Sequence, residues 1–189
     1  MDQVFAPWRI EWVERDGDDG DAIDGCPFCV LPERDDDRAS RIVARSERSF
    51  VLLNNYPYNP GHVMVIPRVH EGKLPALDDA ALLDHARLKQ RTMRALDDAL
   101  GPSGLNAGMN LGGSAAGGSI DDHIHTHIVP RWEGDTNFMP VISDTKVIVE
   151  ALDDTWQRLR DAFAEQDGAR VGGDDEAVRL AFESDSSHG

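Results

Sequence analysis

Twelve residues constrain this chain more than any other stretch: Asp121-Asp122-His123-Ile124-His125-Thr126-His127-Ile128-Val129-Pro130-Arg131-Trp132. Three histidines alternate with Ile124, Thr126 and Ile128, and a period of two residues is the signature of an extended strand. The imidazoles then share one face, successive rings lying roughly 6–7 Å apart along the strand. A face that β-branched residues normally fill is given to titratable rings, which points to a chemical site. Half-exposed strand residues or a purely metal-binding row are the competing readings. Strict alternation behind a glycine-rich loop favours chemistry over both.

The chain has 189 residues, of which 40% are hydrophobic, enough to bury one core. One domain over residues 1–166 with an acidic, disordered tail over residues 167–189 is expected. No stretch offers the roughly 20 apolar residues of a membrane span and no secretory leader is evident, so a cytoplasmic protein is expected. The net charge is −16, which argues against a nucleic-acid duplex or an anionic membrane as partner. Acidic residues gather at Asp16 to Asp24, Asp35 to Asp37 and Asp174 to Glu176. These read as solvated loops, in keeping with an acidic proteome adapted to high salt.

Ile42-Val43-Ala44 and Ser49 to Leu53 read as a hairpin, and Val63 to Pro67 as a strand buried on both faces. Between them Asn54 to His62 must turn. Asp78 to Leu100 has helical period, with Leu82, Ala86, Met93, Leu96 and Leu100 near one stripe, Asp78 as N-cap and Gly101-Pro102 as stop. His85 in this helix reads as solvent-facing. Leu105 to Leu111 and Ile120 to Val129 read as strands around the loop Gly112 to Gly118, and a second helix is expected from about Ser143 to Glu165. A marginal helix over Glu176 to Phe182 is the only order expected in the tail. Trp8 and Trp12 suggest an N-terminal segment packed on the body or a partner copy. Hairpins with one inserted and one appended helix make an α+β domain.

The pattern His123-x-His125-x-His127, with Trp8-Arg9-Ile10-Glu11-Trp12, Asn54 to His62 and Gly134 to Phe138, resembles the histidine triad (HIT) family. The likeness is to its long-chain branch of diadenosine tetraphosphate hydrolases and phosphorylases and covers about residues 5–165. It implies a five-stranded antiparallel sheet with two main helices, a homodimer and a nucleotide substrate. It also implies that His125 attacks the α-phosphorus to form a nucleotidyl-histidine, later released to water or phosphate. Neutral imidazole suits that relay.

Around His125, His127 reads as an orienting ring that also reaches a phosphate oxygen, or as packing support. His62 matches a further histidine beside the triad, or caps a turn. Asn54 matches a ribose-binding position, and Asn110 is placed for phosphate or ribose; either asparagine can instead cap a turn. Gly118 stands where several branches carry glutamine, and Ser119 can donate to a phosphate or leaving oxygen. Arg131 and Lys146 are candidate phosphate cations or solvated charges.

Cys26 and Cys29 form half of a tetrahedral zinc site, two reduced buried thiols, or a redox pair. Members of the family that share this pair complete a zinc site with a histidine after the Ile-Pro strand end and the first triad histidine. Here those are His70 and His123. No organic cofactor is expected. A nucleoside phosphoramidase and a slow-turnover nucleotide sensor are the alternative functions.

Overall fold

Strands β1 (Ile42–Arg45), β2 (Ser49–Leu53) and β3 (Val63–Pro67) are buried at every position, as their unbroken apolar runs require. The computed structural model describes residues 23–116, 120–135 and 151–182. The Trp8–Trp12 segment, Gly118, Ser119, Lys146 and the start of the second expected helix lie outside the described residues.

The α+β class stands, but the sheet has seven strands in the order β4-β5-β3-β2-β1-β7-β6. The remaining members are β4 (Gly104–Gly108) and β5 (Thr126–Arg131), which fall on the two further strands expected around the glycine-rich loop, β5 running past its expected end, and the unexpected β6 (Ala169–Arg170) and β7 (Val178–Leu180). All neighbours are antiparallel except β1 and β7. A five-stranded, wholly antiparallel sheet is therefore corrected, and the described part of the tail holds two short strands where disorder or a marginal helix over Glu176 to Phe182 was expected.

Acidic composition hid a short alternation in the tail. Val178 and Leu180 are buried while Arg179 between them is exposed. The segment is anchored by the buried Asp37, whose carboxylate accepts from Ala177 N at 2.9 Å and from Arg45 Nε at 3.0 Å. Arg160 donates to the carbonyls of Glu176 and Gly173 at 2.8 and 2.7 Å. Asp37 is thus a buried, paired carboxylate and not part of a solvated acidic run.

A short helix α1 (Pro27–Val30) precedes the sheet, and the main helices are α2 (Asp79–Leu100) and α3 (Leu152–Ala164). Asp78 caps α2 by accepting from Ala81 N at 2.6 Å, and Gly101 ends it at φ 57°. Both signals were legible in the sequence. The buried face of α2 differs from the expected stripe: Ala81, Asp84, His85, Leu88, Thr92, Ala95 and Leu96 point inward, and Leu82 and Leu83 are exposed. Polar residues can line that face because each has a partner. Asp84 accepts from Ser46 Oγ at 2.6 Å, Thr92 Oγ1 donates to Leu88 O, and His85 Nε2 meets Thr126 Oγ1 at 2.8 Å. His85 is therefore buried, not solvent-facing.

The sheet separates two apolar clusters. On the helix side Val51, Leu53, Val65, Leu88, Leu96, Ile128, Trp156 and Phe163 pack together, with Trp156 Nε1 donating to Ile42 O at 2.9 Å. On the other face Phe28 from α1 covers Ile42, Phe50, Leu52, Met64 and Ile66. Thr126 and Ile128 point to the helix side, so His127 points to the face that Phe28 covers.

The triad strand begins later than expected. β5 starts at Thr126, and the preceding Ile124 gives its N–H to Glu71 O at 2.8 Å instead of joining the β3 ladder. β4 likewise ends at Gly108, before Asn110 and Leu111. Among the described residues no helix is long and apolar enough to cross a membrane.

Candidate active site

The three triad histidines are held by different means. His127 sits in the sheet, paired with Met64 and Gly108; His123 and His125 lie in the extended approach to it. Their rings still gather, those of His125 and His127 meeting edge to face at 4.9 Å.

Backbone carbonyls fix which nitrogen of each ring is protonated, because a carbonyl can only accept. His125 Nδ1 lies 2.9 Å from His123 O, so Nδ1 carries the hydrogen and Nε2 the lone pair. His125 is buried, which pulls its pKa below the ordinary histidine value, partly offset by that hydrogen bond. The ring is neutral at pH 7. The Phe28 ring stands 5.1 Å from it.

His62 and His127 form a directed pair. Tyr58 N donates to His62 Nδ1 at 3.1 Å, so His62 Nε2 bears the hydrogen and gives it to His127 Nδ1 at 3.0 Å. Neutral His127 then holds its own proton on Nε2. Tyr58 stacks on the fully buried His62 at 5.0 Å. Gly61 makes this turn possible with φ 75°, since a Cβ there would come within 3.2 Å of Pro130 and collide with Leu100.

His123 carries the tautomer opposite to that of His125. Its Nε2 donates to Pro67 O at 2.8 Å, and its Nδ1 faces Cys26 Sγ at 3.4 Å and Cys29 Sγ at 3.6 Å. His70 Nδ1 lies 3.2 Å from Cys29 Sγ, and its Nε2 lies 3.5 Å from Asp122. The donor atoms of Cys26, Cys29, His70 and His123 all fall within 4.8 Å of one another and could hold a metal ion. Two thiols and two imidazoles, each imidazole anchored through its other nitrogen to oxygen, suit such an ion. Burial, the hydrogen bond to Cys26, and the charges of Cys26 and Asp122 push the Cys29 thiol up; a cation among the four would draw it back down.

Other expected residues fall as follows. Asn54 is buried, its Oδ1 accepting from Tyr56 N at 2.8 Å, so it does cap its turn. Asn110 lies just past the end of β4, whose last residue, Gly108, pairs with His127. Arg131 is no phosphate cation in waiting. It chelates Asp135 through Nε and Nη2 at 2.6 and 2.8 Å and donates to Asn106. The guanidinium holds the Asp135 carboxyl well below the usual range, and Asn59 joins the pair at 2.9 Å.

Phe28, Tyr58 and the Pro67 carbonyl were not singled out from sequence. Phe28 had a signal, lying between two cysteines; a carbonyl has none.

An α+β sheet that gathers His62, His123, His125 and His127 beside a Cys/His cluster defines a histidine-centred site. The HIT domain family matches residues 36–134. The chain is 37% identical over 171 residues to "AP-4-A phosphorylase" of Mycobacterium tuberculosis, which spans 88% of this chain and 86% of that one. It is 30% identical over 96 residues to "Bis(5'-nucleosyl)-tetraphosphatase [asymmetrical]" of Schizosaccharomyces pombe, 51% of this chain and 52% of that one. A crystal structure of a Zn-bound histidine triad family protein from Mycobacterium smegmatis superposes with TM-score 0.59 at 26% identity, covering 75% of this chain and 94% of that one. The chain belongs to the HIT domain family.

Proposed function

We propose that this protein is an enzyme that cleaves dinucleoside polyphosphates of the diadenosine tetraphosphate kind at the α-phosphorus, through a nucleotidyl-histidine on His125. The observation that carries the proposal is the bond from His125 Nδ1 to His123 O at 2.9 Å, which leaves the lone pair on Nε2. Attack by Nε2 forms an N–P bond as the P–O bond to the remaining polyphosphate breaks. The leaving group departs as an anion, and the positive charge gained by the ring is shared with the His123 carbonyl through Nδ1–H.

His127 Nε2–H donates to a non-bridging phosphate oxygen, held in that tautomer by His62. Asn54 contacts the ribose, and Asn110, the Gly118 backbone and Ser119 contact the phosphates. A second attack by the acceptor breaks the N–P bond and frees His125. Likeness over most of both chains to a protein named AP-4-A phosphorylase favours phosphate as that acceptor.

Cys26, Cys29, His70 and His123 hold zinc in this reading. With four protein ligands such an ion would crosslink α1 to the triad and leave no coordination position for substrate. β4 is an exposed sheet edge, a template for pairing with a second copy, which supports a homodimer. Two unpaired thiols suit a reducing cytoplasm.

The test is incubation with diadenosine tetraphosphate, with and without inorganic phosphate, and chromatography of products. ADP and ATP formed only with phosphate is the expected result. AMP and ATP, or ADP alone, without phosphate would make it a hydrolase. Turnover by His125→Ala equal to wild type would overturn the nucleophile.

A further inference from the structure

A cavity of about 350 Å³ opens between the segment 72–76 and the pair Leu111 and Gly112. Its walls come from two places. Segment 72–76 follows β3, and Leu111 and Gly112 follow β4. Glu71 O accepts from Ile124 N at 2.8 Å, and Glu71 Oε1 accepts from Lys73 N at 2.8 Å, so Lys73 is fixed relative to the residue next to His125. Gly72 lies flush on the approach to the triad: a Cβ there would come within 2.7 Å of Asp121 O and 3.0 Å of Asp122 Cα. The β4–β5 ladder reaches Gly108↔His127, and Leu111 and Gly112 lie shortly beyond that end of it.

The ladders then place two candidate nucleoside positions at opposite ends of the triad. Asn54 follows Leu53, which pairs with Val63 and through it with Ile128 beyond His127, whereas Gly72 lies against Asp121 and Asp122 before His123. A substrate with a nucleoside at each end of a polyphosphate, attacked at His125 between them, sends its departing half towards the second position. The cavity suits that half. Its volume is at the lower end of the roughly 300–1,000 Å³ of small-ligand sites, room for one nucleoside. Leu74, Pro75 and Leu111, the last 44% exposed, offer apolar walls to a base. Among the described residues Lys73 is the one charged member of the lining, on a chain of net charge −16 that otherwise repels a polyphosphate.

We infer that the cleft between residues 72–76 and Leu111–Gly112 is the subsite for the leaving nucleotide, with Lys73 on its phosphates and Leu111 against its base. This rests on the proposed dinucleoside polyphosphate reading and deepens it by dividing the substrate between two binding positions.

The experiment measures calorimetric binding to His125→Ala protein of three ligands: AMP, adenosine 5′-tetraphosphate and diadenosine tetraphosphate. Lys73→Ala and Leu111→Asp are each added to that protein. Lys73→Ala weakens both tetraphosphates about tenfold, and Leu111→Asp weakens only diadenosine tetraphosphate by about tenfold. AMP affinity, which reports an intact first position, stays within about twofold in both variants. Equal weakening of the two tetraphosphates by Leu111→Asp overturns the inference. So does a His125→Ala protein that binds diadenosine tetraphosphate no tighter than adenosine tetraphosphate. Wild-type protein that fails to turn over diadenosine tetraphosphate, while the binding differences appear as stated, defeats the proposed reaction and leaves the subsite standing.

Discussion

His123 and His125 are two residues apart, nearly equally buried, and both give one N–H to a backbone carbonyl. His123 gives Nε2–H to Pro67 O and turns Nδ1 to two sulfurs. His125 gives Nδ1–H to His123 O and keeps its lone pair on Nε2. Identical side chains on one extended segment thus become a candidate ligand in one case and a candidate nucleophile in the other, because the backbone occupies opposite nitrogens. The division also makes them dependent: the carbonyl that orients His125 belongs to a member of the Cys/His cluster.

The sharpest way to break this comparison is to delete each ring and see whether the losses differ in kind. His125→Ala is expected to lower kcat for diadenosine tetraphosphate by at least about a thousandfold, while melting temperature stays within a few degrees. Steady-state kinetics beside a thermal melt checks both, and a loss under tenfold would remove His125 from the chemistry. On the metal side the expected signature is reversed. Cys29→Ser should drop bound zinc from about one per chain towards none and cost several kcal/mol of stability, because metal-binding free energy is folding free energy. Elemental analysis and denaturant unfolding measure that. Protein as purified that holds no zinc and unfolds identically with and without a chelator would dissolve the ligand assignment of His123.

The relay behind His127 is the next largest effect. His62→Phe keeps a flat ring but removes the donor to His127 Nδ1, so His127 is free to adopt the other tautomer. A fall in kcat of about 10- to 100-fold is expected with KM changed far less. His62→Gln, which restores an N–H donor, should recover part of it. Equal loss in both variants would mean that His62 serves only to pack against Tyr58.

Much of this arrangement could be read from the sequence, and what could not shares one physical reason. Alternation announced the triad, and resemblance to relatives supplied Cys26, Cys29, His70 and His123, which the fold brings together. Asp78 and Gly101 bounded α2 because capping is local chemistry. The failures all depended on a partner that only folding brings into contact. Asp37 looked solvated because Arg45 and the Ala177 N–H are invisible to composition. β7 looked like tail because three residues carry little periodicity without β1 beside them. Arg131 looked available because Asp135 and Asn106 had not yet been folded against it. His85 looked exposed because flanking charges were weighed above its long-range bond to Thr126.

His85 extends the comparison to the other face of the triad strand. It is 1% exposed, its Nε2 meets Thr126 Oγ1, and among the described residues its Nδ1 has no partner. Burial, with a smaller push from the Lys89 charge, lowers its pKa to about 4 from 6.5. The sign follows from proton binding: between those values the unfolded chain is protonated at this site and the folded chain is not, so protons favour unfolding. The contribution of His85 is whole above pH 6.5 and is lost as pH falls towards 4. From pH 7 to pH 5 that loss is about 2 kcal/mol for this residue alone. Urea unfolding at the two pH values, in wild type and in His85→Gln, isolates it: the variant should start less stable at pH 7 and show a pH dependence smaller by about that amount. If both proteins lose stability equally, His85 titrates alike in the folded and unfolded chain. The rigid back of the triad strand would then have to come from the apolar packing of Ile128 and Val65, not from a buried neutral imidazole bound to Thr126.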